Sequence, residues 1–147
     1  MKKAVAAALC LMMVFLVGCS NAQSTPEGTI KRFEQSIQKM DIDGMLDCFE
    51  PSASKGVRAA LKIAGSLLGV SAEDVIDLIP FAMDVGLASG DQTALSAERQ
   101  LKQFSLQVVS VDYNQNRTRA TVTIKYEGMT DSVEMVMEQG SWYLCMY

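Results

Sequence analysis

The run FSLQVVSVDYNQNRTRATVTIKYEGMTDSVEMVMEQGSWYLCMY, residues 104–147, decides the fold. Apolar and polar residues alternate along it, most clearly at residues 120–127 and 133–138, and this period of two is typical of a strand with one buried face. Short segments containing Asn or Gly separate the alternating runs, at residues 114–117, 128–129 and 139–140. Four strands joined by such turns predict an antiparallel meander with one apolar face and one largely polar face.

Helical spacing characterises the residues that precede this run. Thr25 is a predicted N-cap, because Pro and Glu occupy the two positions after it. Ile30, Phe33 and Ile37 then follow at helical spacing and form one apolar face, which is expected to pack on the sheet. The sequence Asp-Ile-Asp-Gly at residues 41–44 interrupts this helix.

Three more helical segments are predicted: a short turn over residues 45–49, a helix over residues 54–68 and a helix over residues 71–88. Pro51 is expected to end the short turn. Gly69 is a predicted C-cap, and Ser71 is a predicted N-cap with acidic residues after it. The last helix is expected to be kinked or split before Pro80 and, because it is largely apolar, buried on more than one side.

Helices followed by an antiparallel sheet predict an α+β domain. The element order, the Thr-Pro-Glu helix start, the break between residues 40 and 51 and the closing Gly-Ser-Trp-Tyr-Leu strand resemble the nuclear-transport-factor-2-like (cystatin-like) superfamily. The resemblance is closest to small bacterial lipoproteins of that fold. It implies N-terminal helices packed on a curved four-stranded antiparallel meander with a cone-like interior, and it implies no particular activity.

The N-terminus has the three parts of a bacterial lipoprotein signal. Two lysines precede an apolar stretch at residues 4–17, which at about 14 residues is shorter than the roughly 20 needed to span a bilayer. Leu-Val-Gly-Cys at residues 16–19 resembles the lipobox, in which Cys19 would receive a diacylglyceryl thioether and become the new N-terminus. An ordinary signal peptide and a short uncleaved anchor are the alternatives.

These patterns predict three segments in an extracytoplasmic protein that acyl chains such as palmitate anchor to a bacterial membrane. Residues 1–18 are the expected lipoprotein signal peptide, residues 19–26 a lipidated tether and residues 27–147 a single α+β domain. Loss of residues 1–18 removes two lysines and no acidic residue, which leaves 11 cationic and 17 acidic residues and a net charge of −6. An acidic domain gains nothing from anionic headgroups, so attachment is expected through the lipid.

Composition excludes several classes of function. The 147 residues include 13 Lys and Arg against 17 Asp and Glu, a formal charge of −4, which argues against nucleic acid as a partner. Histidine is absent, so no Ser-His-Asp or Cys-His triad and no His-ligated zinc site can form. No cofactor is expected.

Two groups of carboxylates could indicate a metal site or an acid–base catalytic site. Asp41, Asp43 and Asp47 invite a calcium interpretation, but the further oxygen ligands of an EF-hand do not follow in register, and capping at a helix break explains them. Glu73, Asp77 and Asp84 share a helical stripe that could support acid–base work, although a solvated helix face has the same spacing. We expect no metal site and no catalytic carboxylate pair.

The function expected from these observations is non-enzymatic: a binding or envelope-associated domain with a small apolar ligand or a protein as its partner. The alternative is a small isomerase or hydratase, because enzymes of the resembled superfamily such as ketosteroid isomerase and scytalone dehydratase work inside the cone. Asp112, Tyr113 and Tyr126 are strand residues that could line such a cone. A buried carboxylate facing a tyrosine in an open cone would favour the enzyme.

The cysteines left after processing raise one further possibility. Cys10 is removed and Cys19 is lipidated, so Cys48 and Cys145 remain outside the cytoplasm, where disulfides form. The resembled fold places the N-terminal helix near the sheet, which permits a Cys48–Cys145 disulfide. Two buried thiols acting as small apolar residues are the alternative.

Lipidation is the first testable prediction. Metabolic labelling with a fatty-acid analogue should label the wild-type protein and leave Cys19→Ala unlabelled, because the thioether requires that sulfur. Equal labelling of the two forms would contradict lipidation at Cys19.

Overall fold

A computed structural model describes residues 22–69 and 71–146 of the chain, with the backbone alone at residues 68, 72, 73 and 75. Within these residues five helices precede one four-stranded sheet, which confirms the predicted α+β class. The helices are α1 (Pro26–Gln38), α2 (Ile42–Leu46), α3 (Pro51–Leu68), α4 (Ala72–Ala88) and α5 (Gln92–Gln103). The strands are β1 (Gln107–Tyr113), β2 (Arg119–Tyr126), β3 (Met129–Glu138) and β4 (Ser141–Leu144).

The sheet is the predicted meander, with strand order β1-β2-β3-β4 and every neighbouring pair antiparallel. Two-residue turns join β2 to β3 at Glu127-Gly128 and β3 to β4 at Gln139-Gly140. Both residues of each turn have positive φ, between 49° and 84°. This conformation matches the right-handed twist of the flanking strands, and glycine at the second position adopts it without steric cost.

The core lies between α1 and one face of the sheet. On the sheet side the core consists of alternating strand residues, which the pairing of β2 with β3 brings together. On the helix side its most buried residue is Ile30, which is 2% exposed. Phe33 and Ile124 are partly buried and pack against this cluster, as predicted for α1. The buried apolar residues of this core cluster are Ile30, Cys48, Ala120, Val122, Met135, Trp142 and Leu144.

The residues before α1 are also part of the packed domain. The carbonyl oxygen of Gln23 accepts a hydrogen bond from the Trp142 amide at 2.8 Å, and the Gln23 side-chain amide donates to the carbonyls of Asp47 and Trp142 at 3.0 and 3.3 Å. Thr29 Oγ1 donates to the same Trp142 carbonyl at 2.9 Å. The fold therefore includes Gln23, which lies within residues 19–26, the range predicted as a tether.

The helical layer differs from expectation at three points. Pro51 begins α3 rather than ending a turn, because a helix tolerates proline in its first turn, where the missing N–H has no intrahelical acceptor. The short helix α2 covers Ile42–Leu46, earlier than the predicted turn, and Asp41 caps it through a bond from the Gly44 amide at 2.8 Å. Helix α5, which no sequence pattern predicted, begins directly after its N-cap Asp91.

Helix α4 is continuous through Pro80, and the prediction that it is buried on more than one side is wrong. Leu78, Phe81 and Val85 are 56%, 62% and 51% exposed. The main contacts of α3 are with α4, and those of α4 are with α3 and α5. The apolar residues of α4 therefore form an exposed surface as well as contacts with the neighbouring helices. The predicted caps at Gly69 and Ser71 are both present.

Substitution of a matched pair of isoleucines tests where the core lies. Ile30→Ala should lower the free energy of unfolding by about 2–5 kcal/mol, because it leaves a cavity in packed surroundings. Ile63→Ala in α3, where the side chain is 64% exposed, is the control and should cost less than about 1 kcal/mol in dilute solution. Denaturant unfolding measures both, and similar losses would contradict this placement of the core.

Candidate apolar binding site

An apolar trough opens on the core side of the sheet, beside α1. Its inner cavity has a volume of about 220 Å³ and its outer cavity about 390 Å³, and both are lined by Leu106 and Ile124. The inner cavity is also lined by Ile30, Phe33, Phe49, Val133, Leu144 and Cys145. The outer cavity is also lined by Phe104, Tyr126, Met129, Thr130 and Asp131.

Helix α1 fixes residues 104–106, which contribute to the lining of both cavities. Glu34 Oε2 accepts a hydrogen bond from the Leu106 amide at 2.5 Å, and the Gln38 side-chain amide donates to the Phe104 carbonyl at 2.7 Å. Residues 104–106 are not part of a strand or helix, so these two side chains satisfy backbone groups that would otherwise lack a regular partner. Polar residues of α1 thus hold an apolar wall in place.

Aromatic pairs shape the two ends of the trough. At the inner end the rings of Phe33 and Phe49 meet edge to face with centroids 5.6 Å apart. At the outer end the rings of Phe104 and Tyr126 lie 5.1 Å apart. These spacings are in the range of favourable aromatic contacts, so each end of the trough has a packed aromatic pair.

Ionisable groups are sparse along the trough. The inner cavity is lined by apolar side chains and Cys145, and the carboxylate at the outer cavity belongs to Asp131, which is exposed and accepts a hydrogen bond from the Ser132 amide at 2.8 Å. Burial raises the pKa of the Tyr126 hydroxyl, and the neighbouring Glu127 carboxylate adds to this effect. The lining is suited to apolar contact with a polar group at the mouth.

The three residues proposed for a cone do not share one site. Tyr126 lines the outer cavity, but Asp112 and Tyr113 line a different cavity of about 370 Å³ together with Arg119 and Glu134. The β1–β2 register explains the separation, because Tyr113 pairs with Ala120 at the opposite end of β2 from Tyr126. Tyr113 instead packs its ring 5.6 Å from that of Trp142.

The aspartates near α2 bind arginines. Asp47 accepts from Arg32 at 3.3 Å and from Arg58 at 3.2 Å, and Arg58 also pairs with Asp43. In the described part of the chain no group of acidic or sulfur side chains is arranged to hold a metal ion. Of the three carboxylates that suggested calcium, Asp43 and Asp47 are thus paired with arginines, and Asp41 caps α2.

The carboxylates of α4 and the N-terminal segment are the other predicted features. Asp77 and Asp84 are exposed on α4, while the side chain of Glu73 lies outside the described residues. The predicted signal peptide and the predicted lipidation site Cys19 also lie outside them. None of the helices described is long and apolar enough to cross a membrane.

The Cys48–Cys145 disulfide is not present in the structure, which has both residues as thiols. Cys48 is fully buried, and its Sγ donates to the Gly44 carbonyl at 3.3 Å. Leu144, and not Cys145, is the β4 residue that bridges to the segment after Cys48. Burial raises the pKa of the Cys48 thiol to about 11, although Arg32 opposes the shift.

Sequence reasoning missed most of the trough. Phe49, Phe104 and Leu106 lie outside the helices and strands. The alternation that starts at residue 104 places Phe104 and Leu106 on one apolar face, but nothing in it relates them to Phe49. The signal that could have found them is the recurrence of large apolar residues just after a helix and just before a strand. None of the protein-family models, curated proteins or solved structures compared with the chain matches it.

The reactivity of Cys48 is a testable consequence of its burial. A pKa of about 11 in place of 9.0 reduces the thiolate fraction about hundredfold near pH 8, so alkylation of Cys48 in the folded protein should be at least that much slower than in the denatured protein. Peptide mass spectrometry after timed alkylation measures it. Because the folded state disfavours the Cys48 thiolate, the stability of the fold is unaffected by this group below about pH 9 and falls as the pH rises towards 11. Rapid labelling of native Cys48 would contradict the burial.

Proposed function

We propose that this chain is an extracytoplasmic lipoprotein, anchored to a bacterial membrane through Cys19, whose domain binds a small apolar ligand without chemical turnover. The apolar trough is the observation that carries this proposal. Typical ligand sites have volumes of roughly 300–1,000 Å³, so the inner cavity of about 220 Å³ is small alone. An elongated apolar molecule would occupy both cavities, with its polar end near Thr130 and Asp131.

The position of Gln23 supports a short tether. Gln23 is held against β4 and lies four positions after Cys19, with three residues between them. An extended chain covers about 3.5 Å per residue, so the lipidated residue would lie within about 14 Å of the folded domain. A trough held this close to a bilayer would be well placed to receive apolar molecules from the membrane or from other envelope components.

The packing of α1 across one face of an antiparallel sheet is compatible with the cone of the cystatin-like fold, and we include that fold in the proposal. The trough would be the interior of this cone. The alternative function, an isomerase or hydratase, needs a buried carboxylate facing a tyrosine. Asp131 shares the outer cavity with Tyr126 but is exposed, and the inner cavity is lined by no carboxylate. Binding is therefore the function that the geometry favours.

A neutral fluorescent probe, N-phenyl-1-naphthylamine, tests the trough. The wild-type protein should enhance its fluorescence, and Met129→Asp should weaken binding about tenfold, because it places a charge on the apolar lining. Val109→Asp is the matched control: Val109 is 57% exposed and Met129 67%, and Val109 lines neither cavity.

Equal effects of the two substitutions would place the probe elsewhere on the surface. Mass spectrometry of protein purified from its own membrane would then show whether a natural ligand co-purifies. The same measurement identifies the N-terminal lipid, so failure of the anchor and failure of the binding site are separate outcomes.

A further inference from the structure

Helices α3 and α4 form an antiparallel pair, the helical hairpin of residues 51–88, whose outer side is unusually apolar. Two large residues on α3, Ile63 and Leu67, are 64% and 83% exposed. Three on α4, Leu78, Phe81 and Val85, are more than half exposed. Scattered exposed apolar residues are ordinary, but a concentration of this kind on one substructure marks an interaction surface. The trough does not include these residues, so the proposed binding function leaves them unexplained.

Charge divides between the two helices of the hairpin. The charged residues of α3 are all cationic and those of α4 are all acidic. Lys55 and Lys62 on α3, and Asp77 and Asp84 on α4, take part in no ion pair within the described residues. Each of these two pairs is spaced by seven residues, which is about 10.5 Å along a helix.

We infer that the hairpin binds a second copy of this chain, with α3 of one copy packed against α4 of the other. The equal spacing lets both lysines of one copy meet both aspartates of the other at the same time. Shape also matches: the exposed stripe of α3 contains the small residues Gly56, Ala59 and Ala60, which leave room for Leu78 and Phe81. A Cβ added at Gly56 would meet no atom within 4 Å, so this position is open to a neighbour.

The same charges argue against a lipid bilayer as the occupant. Asp77 and Asp84 lie beside the apolar stripe of α4, so insertion of that stripe would carry carboxylates towards the acyl region. Anionic headgroups would repel them as well. A second copy offers lysines at these positions instead, and the interaction does not depend on the lipid anchor.

Charge reversal in differently tagged copies of the full chain tests the inference. Two tagged wild-type copies, co-expressed and solubilised from membranes in a mild nonionic detergent, should co-purify. Lys55→Glu with Lys62→Glu in both copies should reduce recovery at least about tenfold, since every attractive pair becomes repulsive. Asp77→Lys with Asp84→Lys in both copies should do the same. Combining one copy of each variant should restore co-purification, which a merely unfolded variant could not do.

Lys31→Glu with Lys39→Glu is the matched control, because Lys31 of α1 and its C-cap Lys39 are exposed and the change in net charge is identical to that of the α3 lysine variant. It should leave recovery unchanged. Absence of co-purification between wild-type copies, or failure of the mixed pair to recover, would overturn the inference. A flotation assay with Cys19→Ser protein and phosphatidylethanolamine vesicles tests the membrane as the occupant. Flotation that Phe81→Asp abolishes, and that combining the two charge-reversed copies does not restore, would assign the surface to the membrane instead.

Discussion

The outer edge of β4 is the feature on which the rest of the domain depends. A strand at the edge of a sheet exposes unpaired backbone groups, which favour aggregation unless they are covered. Here the chain covers its own edge: the Trp142 amide donates to the Gln23 carbonyl at 2.8 Å, the Leu144 amide donates to the Cys48 carbonyl at 2.8 Å, and the Glu50 amide donates to the Leu144 carbonyl at 3.0 Å. The beginning of the domain is thus bonded to its last strand, and α1 lies between two fixed points.

This arrangement creates the apolar trough. With α1 held at both ends, Glu34 and Gln38 reach residues 104–106 and hold them at the sheet face. The helix, this segment and the sheet then enclose space that no side chain fills. The trough is therefore a consequence of backbone hydrogen bonds made elsewhere, and its apolar lining comes from residues that complete the core around it.

The edge contacts also determine where the helical hairpin leaves the domain. Glu50 is bonded to β4, and α3 begins at the next residue. The arginine and aspartate pairs secure this junction, because Arg58 of α3 binds Asp47 of the segment after α2, and Asp47 also binds Arg32 of α1. Beyond that base the main contacts of α3 and α4 are with each other and with α5 rather than with the sheet, which explains how much of a helix as apolar as α4 remains exposed.

The sequence by itself determined the strands, their turns and several of the helix ends. Period-two alternation and the Gly-containing turns specify a four-stranded meander, since both depend on nearest neighbours along the chain, and Ser71 and Gly69 mark helix ends through local hydrogen bonds and a positive φ. The Leu-Val-Gly-Cys sequence at residues 16–19 that resembles a lipobox is likewise a local pattern, and lipidation at Cys19 stays a prediction. The tertiary structure alone decided which apolar residues are buried, because burial depends on segments that are distant in the chain. The Leu78, Phe81 and Val85 side of α4 is exposed despite its apolar composition. Tyr113 and Tyr126 lie at opposite ends of the paired strands β1 and β2. The trough belongs to the same category, since Phe49, Phe104 and Leu106 become neighbours only when β4 bonds to the residues around Cys48 and α1 closes over the sheet.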